Sequence, residues 1–128
     1  MNPAWSPPQQ GMTMETTPRF LNGVYPFSGQ GLEMSGPLGA GLSYTVPSDK
    51  RSQLIYFRAG NSADALVSVS LMRDGKAIRT FPIGAKGAVH VPLAVVEDLF
   101  PDSRIEVFVA APAGVSGQIV LDIGLLEI

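Results

Sequence analysis

LVSVSLMRDGKAI, residues Leu66 to Ile78, decides the fold class. Val67, Val69 and Leu71 alternate with Ser68 and Ser70, the period of a strand with one buried face. Asp74-Gly75 follows. Both central residues of a type I′ turn need positive φ, which Asp tolerates and Gly accepts freely. The stretch therefore predicts a tight β-hairpin. With a two-residue turn, Arg73 lies opposite Lys76 and Leu71 opposite Ile78, so the apolar pair shares a face.

The same alternation recurs on both sides of the hairpin. LSYTV (42–46) puts Leu42, Tyr44 and Val46 on one face. QLIYFRA (53–59) sets Leu54, Tyr56 and Arg58 against Ile55, Phe57 and Ala59. AVHVPL (88–93) turns Val89 and Val91 away from His90, and Pro92 marks an edge or a strand end. AVVEDLF (94–100) reads as a short helical turn closed by Pro101. RIEVFVAA (104–111) alternates again, and QIVLDIGLLEI (118–128) ends the chain as a long strand with Ile119, Leu121, Ile123 and Leu125 on one face. About seven or eight short strands at this spacing, with no long helix, predict an all-β, antiparallel two-sheet β-sandwich with jelly-roll-like order.

Strand 53–59, loop 60–65, strand 66–72, the Asp-Gly hairpin and a last strand carrying Asp122 resemble galactose-binding-type jelly-roll modules over residues 53–128. The resemblance implies a sugar-binding module that uses aromatic platforms. This region has no Trp, and Tyr56, Phe57, Phe81, Phe100 and Phe108 mostly lie within strands or beside prolines, so no binding residue carries over.

Residues 1–48 hold seven of the 11 prolines and the only Trp, Trp5. Residues 1–30 show no strand or helix period. Proline removes donors and glycine loosens the backbone, so residues 1–27 are expected to form an extended arm unable to make long ladders, with 28–128 as the sandwich. The arm is too apolar for a disordered tail and is expected to be partly ordered or packed on a neighbouring subunit. Trp5, Phe20, Tyr25 and Phe27 are its candidate interface anchors, because aromatic side chains concentrate binding energy at interfaces.

A chain of 128 residues is one domain with enough apolar material, 45%, for a core without staples. Charged residues are only 16%, which leaves apolar or neutral surface showing and points to a subunit interface. The net charge is −2 and the basic residues are scattered, so the stripe that nucleic-acid binding needs is missing. No run is long enough for a membrane helix. MNPAWSPPQQ lacks the basic and apolar regions of a signal peptide, so a cytoplasmic location is expected.

Catalytic signals are weak. His90 is the only histidine and there is no Cys, so neither a metal set nor a His-oriented nucleophile is visible. Glu97, Asp98 and Asp102 cluster on one loop but match no calcium-binding pattern, and Gly84–Gly87 lacks the phosphate-loop motif. No cofactor or metal is expected, and the chain reads as a non-catalytic module. The first reading is a homo-oligomeric assembly or structural protein. The alternative is a carbohydrate- or small-ligand-binding module using the 58–65 and 84–87 loops, with Arg58, Asn61, Ser62 and Asp64 as candidate ligand residues. In the plain structural account of that loop, Gly60 and Asn61 turn the chain and the side chains of Ser62 or Asp64 satisfy loose backbone groups.

Overall fold

The computed structural model describes residues 15–128, with backbone only for residues 93–97. It contains two antiparallel sheets packed face to face. The strands are β1 (Thr17–Ser28), β2 (Gly36–Pro37), β3 (Ser43–Thr45), β4 (Ser52–Asn61), β5 (Val67–Arg73), β6 (Lys76–Ile83), β7 (Ala88–Leu99), β8 (Arg104–Ala110) and β9 (Ser116–Glu127). One sheet has the order β1-β9-β4-β7. The other has the order β2-β8-β5-β6, with β3 also on β8. The short β2 and β3 pair with successive stretches of β8, so they fill one strand position between them. Apart from the β2–β3 and β5–β6 links, each connection passes from one sheet to the other, which is a jelly-roll winding. No helix among the described residues is long and apolar enough to cross a membrane.

The hairpin forms as its sequence dictates at the tip. Asp74 and Gly75 both have positive φ, 50° and 84°, and Arg73 pairs with Lys76. Beyond Met72 the register shifts, so Leu71 faces Arg79 and not Ile78. A β-bulge, which opposes two residues to one, accounts for the slip. It leaves Val67, Val69 and Leu71 fully buried.

A second irregularity matters more. The register of β4 shifts between Leu54 and Tyr56 against both neighbours. Strict alternation would place Leu54 with Tyr56 and Arg58. The shift lets Leu54 and Phe57 both reach 0% exposure while Tyr56 and Arg58 leave the core. Between the sheets, Phe57 of β4 stacks on Phe81 of β6 with ring centroids 4.1 Å apart, within a buried cluster that includes Val67, Val69, Ile83, Ile119 and Ile123.

Two expectations need correcting. Residues 17–28 belong to a twelve-residue strand, β1, paired with β9 along its whole length. A strand at the sheet edge tolerates proline where the missing N–H faces away from its neighbour, and Pro18 and Pro26 share strand parity. Residues 94–99 are not helical but continue β7. The backbone of residues 97–99 pairs with Ser52–Leu54, and this ladder overrides local propensity.

Candidate functional site

Along β1, β4, β7 and β9 one set of side chains faces the core and the other faces outward. The register aligns the outward set into rows across the sheet. Val24, Val120, Gly60 and Ala88 form one row; Asn22, Asp122, Arg58 and His90 form the next; Phe20, Gly124, Tyr56 and Pro92 form the third. Phe20, Val24 and Val120 are 56–57% exposed. Antiparallel sheets normally put polar residues on the solvated side, and among the described residues two of these three rows carry exposed apolar side chains instead.

A polar cluster fills the middle of this face. Arg58 Nη2 donates to Asp122 Oδ2 at 2.7 Å, and the Tyr56 hydroxyl donates to Asp122 Oδ1 at 2.9 Å. The Arg58 guanidinium lies 5.2 Å from the Tyr56 ring centroid, and the His90 ring meets Tyr56 edge-on at 6.3 Å. The Tyr56 ring lies where a Cβ on Gly124 would stand, so a glycine is needed there for the hydroxyl to reach Asp122. Desolvation and the neighbouring Asp122 carboxylate raise the Tyr56 pKa, so the phenol stays a donor. Beside this cluster, Gly60 leaves an open depression of about 570 Å³ bordered by Ala88, His90, Val120 and Asp122.

The four candidate ligand residues do not come together. Arg58 projects onto the outer face. Asn61, three residues on, points inward and is 5% exposed. Its amide donates to the carbonyls of Ala65 and Gly84 at 2.9 and 3.1 Å, while its Oδ1 accepts from the Ala63 N–H. Asn61 thereby fastens the 60–65 loop to the 84–87 loop, where Lys86 N–H also donates to Ala63 O. Ser62 Oγ accepts from the Gln118 N–H. Asp64 is exposed, 3.6 Å from Lys86 Nζ.

Among the candidate anchors, Phe27 lies in the core and Tyr25 is half-buried, donating to Asn22 O. Phe20 alone of the described anchors stands free on the surface, and Trp5 lies outside the described residues. Of the loop carboxylates, Asp98 pairs with Arg51 and Gln53, and Asp102 accepts from Ser48. No group of three or more possible metal ligands forms among the described residues.

A second polar cluster closes the opposite end of the sandwich. Glu127, 4% exposed, accepts from the Tyr44 hydroxyl at 2.6 Å and pairs with Arg19 Nε at 3.2 Å. Ser52 Oγ lies 2.6 Å from the Tyr44 oxygen. Tyr44 spends its one proton on Glu127, so Ser52 must be the donor in that bond. These hydrogen bonds hold Glu127 ionised, its pKa lowered chiefly by Tyr44. Burial and then the Glu127 bond push Tyr44 up to about 12. The Tyr44 proton is held by Glu127, and because Tyr44 lies on β3 and Glu127 on β9 the cluster fastens the two sheets together.

Sequence reading missed Tyr56 and Asp122 as partners and Gly60 and Val120 as neighbours. The i, i+2 spacing of Tyr56 and Arg58 was a signal for a shared face. Their acid partner sits 64 residues from Arg58 and needed the β4–β9 register.

No protein-family model matches the chain, and no curated protein matches it. Two solved structures of infectious bursal disease virus, from the Gt and Gx strains, are similar at 12% and 13% identity. Each similarity covers 88% of this chain, with TM-scores of 0.46 and 0.43. The chain spans about a third of the length of those structures, 32% and 36%.

Proposed function

We propose that this chain is a non-catalytic structural module that works by associating with copies of itself through the outer face of the β1-β9-β4-β7 sheet. The observation that carries this reading is the exposure of Phe20, Val24 and Val120 together on that face. Clustered apolar side chains on a flat sheet gain by leaving water, at about 25 cal/mol per Å² of area buried. Val24 and Val120 are neighbours in one row and Phe20 lies beyond the polar row of Asn22, Asp122, Arg58 and His90; exposed apolar side chains grouped beside polar ones mark interaction surfaces. The low charge content, 16%, agrees with a molecule that hides part of its surface against itself. The candidate ligand residues of the 58–65 loop give the binding-module reading less support, because Asn61 and Ser62 spend their polar atoms on the backbone.

Native molar mass by light scattering tests this. The expected result is a multiple of the 13.5 kDa chain mass, reduced toward one chain by Val24→Asp/Val120→Asp. A single-chain mass for the unsubstituted protein at micromolar concentration contradicts the reading.

A further inference from the structure

The outer face is complementary to itself about one particular axis. Two sheets that pack face to face with aligned strands keep their directions within about 30°. A twofold axis relating two copies then runs along the strands or along the rows. An axis along the rows, through the central one, lays Arg58 over Arg58 and Asp122 over Asp122 of the other copy. Like charges brought together at an interface are strongly unfavourable.

An axis along the strands, between β9 and β4, gives a different result. It lays β9 over β4 and β1 over β7 of the other copy, with each row over itself reversed. Asp122 then faces Arg58 of the second copy and Arg58 faces its Asp122, so two ion pairs stack head to tail. Val120, which stands proud of the sheet, faces the depression at Gly60. A Cβ at Gly60 would meet nothing nearer than Ala88 Cβ and Val120 Cβ, both at 4.0 Å. That depression is therefore open to a side chain from outside. Val24 falls over Ala88, and Phe20 falls over Pro92.

We infer that the occupant of this face is a second copy of the chain, related by a twofold axis along the strands, with Val120 seated at Gly60 and Asp122 set against Arg58 across the interface. The inference rests on the self-association reading and adds the symmetry and register. It makes the contact isologous and closed, so this face by itself builds a dimer.

The test exchanges the two charges. The Arg58→Asp/Asp122→Arg double variant keeps an ion pair within each chain. It also keeps opposite charges facing each other when two variant copies pair. In a mixture with the unsubstituted protein, the same axis sets like charges against each other.

The expected result is that the variant self-associates as the parent does, while mixed dimers, followed by mass spectrometry after subunit exchange, are depleted more than about tenfold against the statistical share. Mixed dimers at or above the statistical share overturn the axis and leave self-association standing. Single-chain masses for the unsubstituted protein overturn both.

Should the exchanged variant fail to fold, Gly60→Val supplies a second readout. It is expected to weaken association at least about tenfold with its thermal unfolding little changed, since the added side chain fills the seat of the partner's Val120. Association unchanged by Gly60→Val overturns the inference.

Discussion

The Tyr44 hydroxyl on β3 donates a 2.6 Å hydrogen bond to the Glu127 carboxylate on β9, joining the two sheets. Bonds to charged acceptors are worth more than neutral ones, so Tyr44→Phe is expected to cost about 1–3 kcal/mol in chemical denaturation.

The same bond sets a pH window. The folded-state pKa of Glu127 is lowered, so its contribution is complete above its unfolded value of about 4.3 and is lost as pH falls through the folded value. Tyr44 is raised from 10.0 to about 12, so its contribution is complete below about pH 10 and is lost as pH rises toward 12. Unfolding free energy measured against pH should fall at both extremes, and Tyr44→Phe should flatten both arms. A variant with the parent's full pH dependence would remove the Tyr44–Glu127 pair as the cause.

Asn61→Ala should lower stability by about 1–3 kcal/mol, because buried backbone groups of Ala63, Ala65 and Gly84 lose their partner. Asp64→Ala, an exposed change, should stay within about 0.5 kcal/mol. Equal effects in a thermal melt would contradict the role given to Asn61.

Phe57→Ala is expected to cost about 3–5 kcal/mol, since it empties half of the inter-sheet stack with Phe81. A loss under 1 kcal/mol in urea titration would contradict a core centred there.

A chain that begins at residue 29 lacks β1 and leaves the β9 edge bare along twelve residues. Such an edge invites pairing with other chains, so loss of the soluble folded state is expected. A chain that begins at Glu15 keeps the sandwich. Far-UV circular dichroism and solubility distinguish these outcomes from an arm that is dispensable up to Phe27.

The hairpin and the strand faces were legible because side-chain alternation and turn chemistry are local. Asp74-Gly75 needed only its own φ preferences, and Ile119 to Leu125 announced a buried face by period alone. The strand β1 was hidden by Pro18, Pro26 and Gly23, whose cost disappears at a sheet edge. The register slips at Leu54–Tyr56 and Leu71–Met72 were hidden too, since a bulge answers to the partner strand. The outer face was the least legible feature. Phe20, Arg58, His90 and Asp122 belong to four different strands and meet only once the sheet order is known.

Radical footprinting over a dilution series tests most directly whether this outer face is an interface. The account predicts that labelling of Phe20, Val24, Tyr56 and Val120 falls as concentration rises, while exposed Met34 and Phe100 label equally at every concentration. Unchanged labelling of Phe20, Val24 and Val120 in a protein that self-associates, with protection at Met34 or Phe100 instead, would contradict it.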